Sequence, residues 1–413
     1  MMCKGLAKNL VLEEIKTGTV YCSIHTSFED IEHLQEEWDS FVESVGGDIY
    51  FSYTWCHTWW EFYGEARNLR IFIYRRNNVV IGLIPIFFEK QWLGPTWLKI
   101  AKIVGSDFTM VIINPPVVEN YSNEIYKDII NNLFQKDQCD ALLIGPTSQK
   151  YIGLQKLRET LQGQSNAVLL KDCIHSPYTT FILPEKFEEY FQSLSKNQRG
   201  DIRKRINLIN RSFNITQDII QDDETATYEF YNLSKMHNEQ WKAQGKLGHF
   251  NDWPKGAEFN AKLVSRQAQH GRLRLIKLSA DQQAICYLLC YAFGKRWHWR
   301  ISARVLGPVW DKFALGKISL IKDIETAIAE GVQEIEAGSG HYDYKIKLGG
   351  EEHPLYTLFF ARNQVSCRCR AFLFLKLSNL LHFLYYRVWF SRLAPKLPFK
   401  RRPLWPLWIR TRI

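Results

Sequence analysis

The run EAGSGHYDYKIKLGGEEHPLY, Glu336 to Tyr356, concentrates groups that exchange protons. His341, Tyr342, Asp343, Tyr344 and Lys345 are consecutive, and Glu336 stands five residues before them. His341 has the unperturbed pKa nearest to a working pH, while the carboxylates titrate well below it and the phenols well above. The run follows an apolar segment, so it is either a catalytic corner at a strand end or a polar loop between a strand and a helix. A second run, KNQRGDIRKR, sets Asn197, Arg199, Arg203 and Arg205 at the start of a helical pattern, with Arg199 and Arg203 four residues apart on one face. Guanidinium forks so placed bind phosphate or carboxylate bidentately, or simply solvate a helix face. His298, in RWHWRISA, is a further candidate base, although strand alternation with Trp297 and Trp299 leaves its face undecided.

The elements that must position these groups are legible as two similar series. SFEDIEHLQEEWDSFVESV has Ile31, Leu34, Trp38, Phe41, Val42 and Val45 at helical spacing and is stopped by Gly46-Gly47. LRIFIYRR, a polar NN turn and VVIGLIPIFFEK predict strand, turn, strand; WLKIAKIVGSDFTMVII predicts another strand, EIYKDIINNLF a helix and DALLIG a buried strand. The second series has helices in KNQRGDIRKRINLINRS and TATYEFYNLSKMHNEQWKAQG, three strands in residues 272–305, an amphipathic helix in GKISLIKDIETAIAEG and a strand in VQEIEAG. Two copies of one α+β unit follow, as does the 413-residue length, which is long for a single core. The division falls near HSPYTTFILPEKF, giving domains of residues 1–175 and 176–363, followed by a tail, 364–413.

Composition narrows the function. The nine cysteines are an odd set scattered through apolar segments, which suits free buried thiols in a reducing compartment, and no Cys/His pattern suggests a metal. The N-terminal residues carry no apolar run of signal-peptide length, so export is not expected. The formal net charge is +10, but Gln364 to Ile413 holds eleven Lys/Arg and no Asp/Glu, leaving 42 basic against 43 acidic residues in the first 363. A neutral body gives DNA no groove. The tail is instead expected to form a basic amphipathic helix: AFLFLKLSNLLHFLYYRVWF is apolar over about 20 residues but broken by Lys376, His382 and Arg387, so it suits a membrane interface or packs on the body.

The order FQSLSKNQRGDIRKRINLI, MHNEQWKAQGKLGHF, GRLRLIKLSADQQAICYLLCYAFGKRWHWRISA and LGKISLIKDIETAIAEGVQEIEAGSGHYDYKIKLG resembles the acyltransferase domain of the cellulose-biosynthesis-type acetyltransferase family (CelD/BcsL-like). That family is a branch of the GNAT superfamily related to FemAB-type aminoacyltransferases. LQEEWDSF, IYFSYTWCHTWW, IGLIPIFFEK and IVGSDF are similar to its N-terminal region, so the resemblance covers most of Ile31 to Asn363. It implies two tandem GNAT-like domains, each a mixed, mainly antiparallel sheet flanked by helices.

The resemblance also implies a site. Gly316 and Lys317, where a helix would meet the pyrophosphate of acetyl-CoA or another acyl-CoA, are cofactor-binding candidates together with Lys345 and Arg300. Tyr344, or Tyr342, would protonate the departing thiolate. An attacking amine or hydroxyl must also lose a proton, and Asp343, Glu336 and His341 are the nearby candidate bases, with His298 a further one. Asn197, Arg199, Arg203 and Trp241 would hold the acceptor, an amine or a sugar hydroxyl that is lipid-linked in one version. The implied activity is N- or O-acetyl transfer in envelope, exopolysaccharide or cellulose biosynthesis, in the cytoplasm or on the inner face of the plasma membrane. A FemAB-type transferase using aminoacyl-tRNA and an inactive scaffold of a polysaccharide synthase are the alternatives.

Overall fold

The computed structural model describes residues 19–109, 111–151, 153–243, 248–252, 254–393 and 396–397; the N-terminal residues and the Trp- and Arg-rich end of the tail lie outside the described residues. Twelve strands form one sheet: β1 Val20–His25, β2 Asn68–Arg76, β3 Val79–Leu93, β4 Thr96–Ile103, β5 Ala141–Ser148, β6 Ala167–Ile182, β7 Ile215–Ile220, β8 Leu273–Ala280, β9 Gln283–Phe293, β10 Arg296–Arg304, β11 Glu334–Ser339 and β12 Glu351–Arg362. The turn residues explain the hairpins. Asn77 and Asn78 between β2 and β3, Asp281 and Gln282 between β8 and β9, and Gly94 and Gly294 at the other two turns all have positive φ. Such backbone matches the right-handed twist of the strands it joins.

The strand order is β1-β2-β3-β4-β5-β12-β6-β11-β10-β9-β8-β7. Each half is an antiparallel meander of four strands, then a parallel neighbour (β5 beside β4, β11 beside β10), then one more antiparallel strand. That last strand is exchanged. β6, which follows the first meander in sequence, closes the second half against β11, while β12, at the end of the second, closes the first half against β5. β6 and β12 pair with each other along Ala167–Thr180 and Glu351–Arg362. Residue 175 therefore lies inside a strand bonded to both halves. Pro177 and Pro354 sit in these central strands beside register shifts, where a missing N–H breaks no regular ladder. Each half thus contains the expected meander, whereas β1, β6, β7 and β12 carried no separate sequence signal.

Helices cover both faces. Helices Gln35–Ser44, Tyr53–Tyr63, Asp223–Lys242 and Gly256–Gln269 pack into the largest core, and helices Lys196–Ser212 and Leu315–Ala329 cover the opposite face of the second half. The eight described cysteines are free. The tail contains a helix, Val365–His382, that packs on the first half: Ala371, Phe374 and Leu375 join Leu98, Ile100, Leu143 and Phe359 in a separate cluster. No helix among the described residues is long and apolar enough to cross a membrane.

This docking has a direct consequence for stability. Phe374 is fully buried in that cluster. Phe374→Ala is expected to lower the unfolding free energy by about 3–5 kcal/mol in denaturant titrations. A loss below about 1 kcal/mol would contradict the docked position of the helix.

Candidate functional site

The parallel strands β10 and β11 pair over three positions only, Arg296 with Glu334, Trp297 with Ile335 and His298 with Glu336. A bulge between Trp299 and Ile301 then bends β10, and the two strands part. His298, Arg300 and Glu336 stand at the point of parting. The first half supplies the remaining groups. A 3-10 turn, Ile49–Phe51, followed by a helix capped at Ser52, whose hydroxyl accepts from the Trp55 N–H at 3.3 Å, sets the Tyr50 phenol against Glu336. The loop after β4 brings the Thr109 carbonyl, which accepts from Arg300 at 2.7 Å.

Tyr50 donates to Glu336 Oε2, and the Gly338 N–H donates to Oε1 at 2.8 Å. Burial alone would raise the Glu336 carboxyl, but the nearby His298, the Tyr50 hydroxyl and the Arg300 guanidinium together hold it below the usual carboxylate range. It is therefore an ionised, buried base or hydrogen-bond acceptor at neutral pH. Burial first, then the Glu336 charge, pushes the Tyr50 phenol up and keeps it protonated. His298 is fully buried, with Nδ1 at 3.7 Å from Glu336, near enough for attraction and too far for a hydrogen bond. Neither of its ring nitrogens has a hydrogen-bond partner among the described residues, nor do Tyr291 Oη, Trp55 Nε1 and Arg300 Nε. Tyr50 and Trp55 both pack on this group: their rings lie 5.0 Å apart, and the Arg300 guanidinium sits 5.3 Å from each. So many buried polar atoms without internal partners are unusual away from sites that take polar ligand or water atoms.

Glu336 also forms part of the wall of a cavity of about 510 Å³ between the halves. Asp48 is fixed there by Arg296 at 3.0 Å and by Asn114 at 2.9 Å; Tyr178 and Ser148 share a hydrogen bond of 2.6 Å, and Lys150 reaches Thr180 at 3.0 Å. Cations, carboxylates and hydroxyls from both halves thus face one space, which suits a polar acceptor.

The sequence candidates are distributed around this centre. Arg300 is in it. His341 is mostly exposed, bonded to Glu352 at 2.8 Å and Asp343 at 3.1 Å, contacts that favour its protonated form and raise its pKa. Tyr342 and Tyr344, 43% and 42% exposed, lie beyond β11 with ring centroids 5.8 Å apart. Lys345 is buried, and its ammonium donates to the Ala337 carbonyl. Lys317 is ion-paired to Asp201 at 2.6 Å, beside Gln198. Among the described residues outside its own helix turn, the nearest atom to a Cβ built on Gly316 is Arg304 Cδ at 4.0 Å, so the space beside Gly316 is open. Arg199 donates to the Gln192 and Leu194 carbonyls, Arg203 lies 5.2 Å from the Phe191 ring, and Asn197 is exposed, so the arginines at 199 and 203 do not act as one fork. Trp241 packs between His237 and His249. Sequence reasoning missed Tyr50, Asp48 and Tyr178; their place opposite Glu336 depends on the exchanged strands, which no local pattern encodes.

The same register in the first half carries different chemistry. Ile100, Ala101 and Lys102 pair with Ala141, Leu142 and Leu143, so Lys102 stands where the second half has His298, and Leu143 where it has Glu336. Lys102 is buried against Asp107 and Glu89. The gap beyond is filled by the chain itself: the Ile113 N–H donates to the Pro146 carbonyl at 2.7 Å and the Thr147 hydroxyl to the Ile113 carbonyl at 2.8 Å. Only in the second half do the parted strands retain a carboxylate.

Residues 196–346 match the family described as an acetyltransferase (GNAT) domain. No curated protein matches the chain. Among solved structures, the chain is similar to FemX, with 12% identity and a TM-score of 0.58 over 83% of this chain and 98% of the other. It is also similar to L-PGS from Bacillus licheniformis, with 11% identity and a TM-score of 0.50 over 82% and 95%. The fold is accordingly α+β with GNAT-like halves and a C-terminal helix, and the matched domain contains β10, β11 and the parting point.

Lys345 offers a pH test of this geometry. Burial lowers its pKa to about 8, only partly offset by Glu336 and Glu352. An unfolded lysine titrates near 10.4, so between those values the unfolded chain binds the extra proton and stability rises with pH. Relative to Lys345→Met, the native chain should gain up to about 3 kcal/mol of unfolding free energy from pH 8 to 10.5. A constant difference across that range would place Lys345 in solvent.

Proposed function

We propose that the protein transfers an acyl group, with acetyl-CoA the first donor to test, to an amine or hydroxyl held in the cavity between its halves. The observation that carries this reading is the buried Glu336 carboxyl, accepting from the Tyr50 hydroxyl and the Gly338 N–H, at the parting of β10 and β11. The acceptor loses a proton as its N or O bonds to the thioester carbon; the C–S bond breaks and the thiolate takes up a proton. Glu336 orients the acceptor and receives its proton, while the Tyr344 phenol supplies the thiolate, with Tyr342 next to it. A thiolate and a phenol are close enough in pKa for that proton to be shared in the transition state. The open space beside Gly316 suits the donor pyrophosphate. Lys317, held by Asp201, would have to exchange partners to join it.

The mixed charge of the cavity, with Arg296 and Lys150 facing Asp48 and Glu334, favours an acceptor bearing both an amine or hydroxyls and an anionic group, such as a lipid-linked amino sugar of the cell envelope or an exopolysaccharide precursor. A second reading has a specific support. The edge of β10 beyond the parting point is already bonded, His237 Nδ1 lying 3.1 Å from the Ser302 carbonyl and the Gln240 side chain accepting from the Arg304 N–H at 3.1 Å. A pantetheine arm lying along that edge must displace these contacts, which keeps a FemAB-type aminoacyl donor in view. The neutral body weighs against tRNA.

Calorimetry with acetyl-CoA separates the two. The native protein should bind it and Gly316→Trp should weaken binding at least tenfold; no heat with the native protein would overturn the acyl-CoA reading. In a thiol-release assay on a panel of acyl-CoAs with envelope precursors, Glu336→Gln should lower kcat by about 10²-fold or more and Tyr344→Phe by a smaller factor. Unchanged kcat for Glu336→Gln would remove Glu336 from the chemistry.

A further inference from the structure

The docked tail helix is apolar on two opposite sides. Cys367, Ala371, Phe374, Leu375 and Ser378 face the sheet, as one helical stripe. The outward stripe should be polar on an ordinary surface helix. Instead Phe372, Leu373, Leu380, Phe383 and Leu384 are 43–57% exposed. The neighbouring β3–β4 turn extends the patch: a Cβ on Gly94 would lie 3.9 Å from Leu377, and Trp92, two residues before it, is half exposed.

The charged side chains that the tail itself contributes are all basic. Arg368, Lys376, Arg387 and Arg392 come from the helix and its continuation to Leu393, and Lys90 lies 4.9 Å from the Trp92 ring. Residues 364–413 contain no acidic side chain. Lys376 falls within the outward stripe, with Nζ 5.2 Å from the Phe372 ring, and its long stem lets the ammonium rise from among the apolar groups. We infer that this face, helix Val365–His382 with its continuation and the tip of the β3–β4 hairpin, rests on an anionic membrane surface. Leucines and phenylalanines enter the head-group boundary and the flanking cations meet lipid phosphates. The helix is then both a structural layer, through its inner stripe, and a membrane contact, through its outer one. This inference does not depend on the acyl-transfer reading.

Flotation with vesicles tests it on the full chain. Native protein should float with phosphatidylcholine vesicles containing about a third phosphatidylglycerol and not with phosphatidylcholine alone, and added salt should release it. The triple variant Phe372→Ser, Leu380→Ser, Phe383→Ser leaves the buried stripe intact and should lose binding at least tenfold. The pair Lys376→Glu, Arg387→Glu provides a second variant that keeps the apolar stripe, and it should lose the preference for anionic lipid. Failure of the native protein to float would overturn the inference, as would equal binding by the triple variant. A native dimer by light scattering that the triple variant converts to a monomer would assign the face to self-association instead.

Discussion

The pairing of β6 with β12 is the constraint on which the rest of the molecule depends. Each strand belongs by sequence to one half and completes the other, so neither half closes its sheet without its partner. The long central ladder fixes the register of β5 and β11 on either side. That register decides what faces what across the seam: Glu336 opposite Thr180, Tyr178 beside Ser148, and the Asp48 turn against Arg296. The cavity results from this exchange rather than from two finished domains touching.

The halves have the same strand order and opposite fates at their parted strands. A parallel pair that opens after a few residues leaves backbone and side chains available between two layers. In the first half the chain fills that opening with the segment before β5 and balances Lys102 with Asp107 and Glu89. In the second, the corresponding positions hold His298 and Glu336, and Tyr50 arrives from the other half. A buried carboxylate kept ionised by neighbours is costly to assemble, and leaving ring nitrogens and hydroxyls without partners adds to that cost. Such arrangements concentrate at functional sites, where the local rules of a stable core give way to chemistry.

Much of this was legible in the chain. The near-continuous apolar run of VVIGLIPIFFEK and the polar NN turn marked the first hairpin, and the helix over Lys196–Ser212 matches the segment read as helical. The family-like motif order brought the acyltransferase reading, in keeping with the acetyltransferase (GNAT) match over residues 196–346. The exchanged strands were not legible: β6 carries Pro177 near its end, β12 begins with charged residues, and strand exchange leaves no trace in local periodicity. For the same reason the sequence pointed to His341 through Lys345, which are consecutive and conspicuous, and not to Tyr50, nearly 300 residues away from Glu336. The tail's basic, apolar composition was plain, but only the fold shows that one stripe is already used.

Hydrogen–deuterium exchange with and without acetyl-CoA tests the central claim most directly, because both halves contain the comparison. The account predicts added protection at Trp299–Ser302 and Ala337–Ser339, where the second half's strands part, and none at Val104–Ile113 or Gly145–Thr147, the filled equivalent in the first. Protection confined to the first half, or protection at neither, would contradict it.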